Sequence, residues 1–139
     1  MRFASIVYGS MLSRTSDPYG SGQFGAPRDH HSRQHNGLDV VANPGDTVLS
    51  PIEGDVVREA IPYAPFTGLL IEGAGAYAGY SVKLFYVEAY GCGRVRAGMP
   101  LGHVQDLQHK YPGITNHIHM EVRYKGKLVS PTDTYKMCF

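Results

Sequence analysis

The chain has 139 residues, about one ordinary domain, and at that size roughly two-thirds of the unfolded surface can be buried, so a core forms without staples. A net charge of +1 leaves no clustered basic field and excludes nucleic acid as the partner. No stretch approaches the ~20 apolar residues of a membrane span.

Seventeen glycines, nine prolines and ten tyrosines call for many turns between short, aromatic-rich strands. The predicted class is therefore all-β: a compact, Gly-rich antiparallel β-sheet domain with short helices and loops. Met1-Arg2 followed by Phe3 to Met11 faintly resembles a secretory leader. The run is short, holds Ser5, Tyr8, Gly9 and Ser10, and lacks a small-x-small cleavage site, so it reads as the first strand instead. Residues 15–34 carry Ser, Asp, Pro, Gly and Arg without an apolar period and read as a long surface loop, a feature that is often functional.

From Gly37 the texture changes. Leu38, Val40 and Val41 form an apolar run, and Asn43-Pro44-Gly45-Asp46 is a turn. Thr47 to Ser50 reads as a strand stopped by Pro51, and Asp55 to Glu59 as a short strand after the Glu53-Gly54 turn. Leu69 to Ile71 and Tyr80 to Tyr86 form a strand pair around the Gly73–Gly79 turn, and Val95 to Gly102 a turn-strand pair pinned by Gly98 and Pro100. Ile118 to Tyr124 alternates as a strand and turns at Lys125-Gly126-Lys127 into Leu128-Val129. Residues 103–110 are the one place for a short helix, since apolar residues nowhere recur at 3.6 spacing over ten residues. Cys92, in a Gly-Cys-Gly turn, and Cys138, next to the C-terminus, are not a disulfide framework and read as two unpaired thiols, with a single disulfide as the alternative.

Seven histidines fall at 30, 31, 35, 103, 109, 117 and 119. His35-Asn36-Gly37-Leu38-Asp39 puts an imidazole and a carboxylate four apart at the entry to a strand, where even spacing keeps both on one face. His117-Ile118-His119 puts two imidazoles on one strand face, with Ile118 directed into the apolar layer. Imidazole and carboxylate are proper zinc ligands, and three protein ligands leave a fourth tetrahedral position for water. Such a water becomes a nucleophile near neutral pH, and a neighbouring imidazole can shuttle its proton. Glu121 shares the face of His119 and is placed to orient a ligand. His30 and His31 belong to the loop, and His103 follows a turn glycine.

The pair HNGLD and HIHMEV resembles the M23 family of zinc metallopeptidases, the lysostaphin-like peptidoglycan endopeptidases. Residues 43–54, Arg96 to Gly102 and HIHMEVRYKGKLVSP also resemble family segments, so the likeness covers 35–131. It implies one Zn2+ held by His35, Asp39 and His119, with His117 acting on the water or the oxyanion. Arg14 to Asp17, Gly20 to Phe24, Val82 to Tyr86 and Tyr111 to Ile114 are similar to the leukocyte cell-derived chemotaxin branch of the same fold. Cysteines of that branch are Ser16, Ser21 and Ser81 here, which points to a microbial relative or a reducing compartment.

Active M23 peptidases carry a further histidine in a Y-x-H-L strand end. The matching stretch here is Phe85-Tyr86-Val87-Glu88, and no histidine lies between His35 and His103. Tyr86 is the candidate substitute, since a phenol can donate to an oxyanion; its alternative is a packed strand tyrosine in register with Val82 and Leu84. His109 is a second candidate. The resemblance implies a monomeric zinc endopeptidase of residues 1–139 acting on peptidoglycan or on glycine-rich, small-residue peptides in the cell wall or periplasm. Without a Sec-type leader, delivery by another route or synthesis in the cytoplasm is expected. The other reading is a pseudo-peptidase that keeps zinc and serves as a chemotaxin-like binding domain.

Overall fold

The computed structural model describes residues 2–14, 27–28, 33–34 and 37–138, with backbone alone at 27–28, 33–34 and 136–138. Most of the 15–34 segment, with His30 and His31, and also His35, lies outside the described residues. Within that stretch β1 (Pro27–Arg28) pairs with β2 (Arg33–Gln34). The remaining strands are β3 (Leu38–Val41), β4 (Thr47–Leu49), β5 (Gly54–Glu59), β6 (Gly68–Gly73), β7 (Tyr80–Phe85), β8 (Val87–Ala89), β9 (Gly93–Val95), β10 (Pro100–Val104), β11 (His117–Tyr124) and β12 (Lys127–Val129). All pairings are antiparallel, and the described helical pieces are 3-10 turns at Gly75–Tyr77 and Pro131–Cys138. The all-β class expected from the sequence is the class observed.

The larger sheet runs β12-β11-β7-β6-β5-β9, with β3 also paired to β11. The eight-residue β11 is long enough to hold β7 along one edge, while β3 and β12 share the other, β3 at its start and β12 at its end. Alternation along β11 sends Ile118, Met120 and Val122 into the core, all fully buried, where Val40, Leu84 and Val82 meet them across the strands. Each such side chain contributes roughly 1.5–3 kcal/mol by leaving water. A one-residue slip would exchange them for His117, His119 and Glu121, so burial of one face fixes which residues appear on the other. A smaller sheet, β4-β10-β8, contributes Val48, Leu101, Val104 and Val87 to the same core.

Two expectations are corrected. Phe3 to Met11 is not a strand. Its backbone partners lie on separate segments: Phe3 N–H donates to Thr134, Ala4 to Pro51, and the Ile6 carbonyl accepts from Leu49. Phe3 and Ile6 are nonetheless core residues. Residues 103–110 form no helix, because tertiary groups take the backbone partners a helix needs: Asn116 Oδ1 accepts from Leu107 N–H and Asn116 Nδ2 donates to the Gln105 carbonyl. Val95 to Gly102 is a turn closed by the Met99 N–H on the Arg96 carbonyl and followed by a strand, as expected. Its first part joins β5 in the large sheet and its second part enters the small sheet between β4 and β8. Strand β8 has no counterpart in the sequence reading.

Gly37 lies where β3 enters beside β11. A β-carbon there would run into the Met120 carbonyl, a backbone group that cannot move aside without shifting the sheet. Gly37→Ala is therefore expected to destabilise the fold by about 1–3 kcal/mol through overpacking, read as a lower urea midpoint with an unchanged m-value.

Candidate metal centre

The pairing of β3 with β11 builds the site. Its register sets Asp39 opposite His119, and the β11–β7 register sets His119 opposite Phe85. Carboxylate, imidazole and phenyl ring thus stand in one row across three strands, on the face turned away from Ile118 and Met120. His117 lies two residues before His119 on that face and Glu121 two after.

Asp39 is 2% exposed and is the hub. His119 Nδ1 lies 2.9 Å from Oδ1, and His117 Nε2 lies 3.4 Å from Oδ2. Arg14 Nη1 donates to Oδ2 at 2.7 Å, and the Arg14 N–H donates to the Asp39 carbonyl. This arginine is itself 3% exposed. A buried carboxylate needs a paired and hydrogen-bonded cation, and Arg14 supplies one while Oδ1 faces His119. Arg14 was not singled out in the sequence beyond its place in a family-like segment; the signal is a cation in an otherwise loop-like stretch, which gives no indication of burial.

The two β11 histidines are electrically different. His117 Nδ1 sits 2.6 Å from the Thr115 carbonyl. A carbonyl only accepts, so this nitrogen carries the proton. Burial pushes the His117 pKa down, which keeps the ring neutral and leaves Nε2 a bare lone pair facing Asp39. Burial also works against charge on His119, yet its bonds with Asp39 and Glu121 outweigh that and raise its pKa to about 9. The Glu121 carboxylate lies 3.8 Å from His119 Nε2. Burial alone would raise the Glu121 pKa, but the His119 interaction holds it below the ordinary carboxylate range.

The donor chemistry suits a cation. Two acceptor lone pairs, His117 Nε2 and Asp39 Oδ2, face one another, and His119 Nδ1 faces Asp39 Oδ1. Two of the three ligands implied by the family resemblance, Asp39 and His119, are therefore brought together. The third, His35, lies outside the described residues, and among the described residues no group of three His, Cys, Asp or Glu side chains forms a metal site.

Tyr86 reaches this cluster by a different route from the one expected. It does not extend β7 in register with Val82 and Leu84, which point into the core. Tyr86 adopts φ 69°, a left-handed turn that ends β7 before β8 begins, with the N–H groups of Tyr86 and Val87 both donating to the Thr67 carbonyl. The turn lays its ring edge-on to His117, with centroids 5.3 Å apart at 89°. Phe85, given no role of its own in the sequence, stacks on His119 at 5.6 Å and 9°. Only the cross-strand register reveals that partnership. His109 is exposed, and His103 is tied instead to the Tyr90 hydroxyl at 2.9 Å. Cys92 is a free, exposed thiol.

These residues sit in a recognisable frame. A family model described as Peptidase family M23 matches residues 33–131. Leukocyte cell-derived chemotaxin-2 of Mus musculus is 37% identical over 113 residues, which cover 78% of this chain and 71% of the relative. Among solved structures, a zinc-containing peptidase from Vibrio cholerae superposes with a TM-score of 0.63 at 21% identity, over 93% of this chain and 39% of that one. The solution structure of lysostaphin gives a TM-score of 0.63 at 18% identity, over 87% of this chain and 47% of that one. At those identities the structures speak to the fold, and this chain spans less than half of either protein. The family match, in contrast, takes in Asp39, Tyr86, His117 and His119 together with most of the chain, which belongs to the M23 peptidase family.

Proposed function

We propose that the protein is a zinc metallopeptidase that hydrolyses amide bonds in peptidoglycan peptides. The observation that carries this reading is the convergence of His117 and His119 on buried Asp39 in a chain of a family that generally uses zinc. His35, Asp39 and His119 would hold the ion. Zinc bound there supplies a Lewis acid that activates water and polarises the amide carbonyl. His117 Nε2 takes a proton from the attacking water, because the Thr115 bond fixes the tautomer that leaves this nitrogen bare. The same nitrogen then delivers the proton to the departing amine. The Tyr86 hydroxyl donates to the carbonyl oxygen as it gains charge, the part played by oxyanion donors elsewhere. Arg14 balances the charge of the buried Asp39 carboxylate and fixes its rotation.

A second reading rests on two observations: no histidine lies between His35 and His103, and chemotaxin-2 is 37% identical. In it the ion stabilises a binding domain and the face around Tyr86 recognises a partner. Among the described residues no helix is long and apolar enough to cross a membrane, and a site of action in the cell wall or periplasm belongs to the peptidase reading.

Two measurements test these readings. Elemental analysis of the purified protein is expected to give one zinc per chain, and Asp39→Ala, His119→Ala or His35→Ala to lose it. Zinc at 100 times its Kd adds about 2.7 kcal/mol to the native state, so chelation should lower the melting temperature of the wild type and not of these variants. Unchanged metal content in all three would remove the assignment. On peptidoglycan gels the zinc-loaded protein is expected to clear the substrate, and His117→Ala to lose roughly 10²–10⁴ in rate while keeping its zinc. Failure of the zinc-bound wild type to clear any peptidoglycan would favour the binding domain.

A further inference from the structure

The Tyr86 hydroxyl is not isolated. The hydroxyl of Tyr63 lies 3.2 Å from that of Tyr86 and 2.7 Å from that of Tyr111. The three phenols come from separate segments: the loop after β5, the β7–β8 junction and the turn before β11. Phe66 wedges the group, edge-on to Tyr63 at 5.6 Å and to Tyr86 at 5.3 Å. Lys110 Nζ lies 5.0 Å over the Tyr63 ring. Such a packed aromatic cluster holds its hydroxyls in place at little further entropic cost.

We infer that Tyr63 and Tyr111 are positioning residues that form a hydroxyl ladder, Tyr111 to Tyr63 to Tyr86, which directs the Tyr86 proton at the reacting carbonyl oxygen. This rests on the peptidase reading, in which Tyr86 is the oxyanion donor. Each phenol has one proton to donate. Three hydroxyls joined by two bonds leave one proton for an outside acceptor, and it emerges at one end of the ladder. If Tyr111 donates to Tyr63 and Tyr63 to Tyr86, the spare proton is that of Tyr86. The surrounding charges favour this direction: the Asp39 carboxylate acts on both Tyr63 and Tyr86, partly offset at Tyr86 by Arg14, and Lys110 acts on Tyr111 besides lying over the Tyr63 ring, so the positive ends of the O–H dipoles are drawn toward the carboxylate. A donor that is itself a hydrogen-bond acceptor is a stronger donor, because the bonds polarise one another. Burial raises the pKa of all three phenols, that of Tyr111 to about 12, so every proton is in place at neutral pH. The ladder gives the chain what a lone packed tyrosine lacks, a fixed orientation of its O–H.

The test uses Tyr63→Phe, Tyr111→Phe and Tyr86→Phe, which keep the rings and remove only the oxygens. In the full chain labelled with ¹³Cζ-tyrosine, the Tyr86 resonance, identified by its loss in Tyr86→Phe, is expected to move in Tyr63→Phe with little change in melting temperature. On the zinc-loaded protein, a phosphinic analogue of pentaglycine serves as the oxyanion probe in calorimetry. Tyr86→Phe is expected to weaken its binding about 10²-fold, and Tyr63→Phe by roughly three- to tenfold, with zinc affinity unchanged. The Tyr63→Phe/Tyr86→Phe double variant should then lose no more than Tyr86→Phe alone, because Tyr63 acts only through Tyr86. A Tyr86 resonance indifferent to Tyr63→Phe overturns the ladder whatever the activity, and so do additive losses in the double variant. A responsive Tyr86 in a zinc-loaded protein that neither binds the phosphinate nor cleaves peptides supports the ladder and overturns the peptidase reading.

Discussion

Everything at the candidate centre depends on one antiparallel pairing, β3 against the first half of β11. The register that puts Val40 opposite Ile118 and Leu38 opposite Met120 puts Asp39 opposite His119. The apolar half of this arrangement is what holds it, since Val40, Ile118 and Met120 have no exposure at all. Side chains alternate across a strand, so the core residues and the polar residues are two readings of the same backbone. A slip of one position would turn two imidazoles into the apolar layer and the core side chains onto the polar face. Hydrophobic burial thereby secures the alignment of groups that gain nothing from it themselves.

The polar face then has its own electrostatic problem, a carboxylate with almost no access to water. Arg14 resolves it from outside the sheet, entering alongside β3 with a backbone bond as well as a side-chain one. Removing one partner from a buried pair of this kind costs about 3–5 kcal/mol, so the N-terminal segment is bound to the site by more than proximity. That segment also delivers Phe3 to the core, edge-on to Tyr80 at 5.2 Å. One irregular stretch of chain therefore ties the apolar layer to the polar one, which is why its lack of strand structure does not make it peripheral.

Beyond the first row of groups the surroundings are aromatic. Phe85 covers one face of His119, and Tyr86 stands edge-on to His117. These contacts limit how the two imidazoles can turn. They also lower the local polarity, which strengthens each charge interaction in the cluster. The differing behaviour of the two histidines follows from their partners: His117 has a carbonyl at Nδ1 and stays neutral, whereas His119 lies between two carboxylates and holds its proton tightly. Two identical side chains two residues apart thus carry different chemistry on one strand.

By itself the sequence determined the all-β class, most strands from β3 onward and the residue types Asp39, His117 and His119 of the polar cluster, because alternation of apolar and polar residues and the spacings of His35 with Asp39 and of His117 with His119 are local properties of an extended chain. The hairpins around Gly73–Gly79 and at Lys125-Gly126-Lys127 were legible for the same reason: turn chemistry is written in neighbouring residues. Tertiary structure alone decided the rest. Residues 103–110 lost their helix to Asn116, which is distant enough in the chain that no local pattern announces it. Tyr86 left its strand through a left-handed turn held by Thr67, and so met His117 instead of the core. The burial of Arg14 on Asp39, the stacking of Phe85 on His119 and the bonds of Tyr63 to Tyr86 and Tyr111 join residues from separate segments, and only the closing of the sheets brings them into contact.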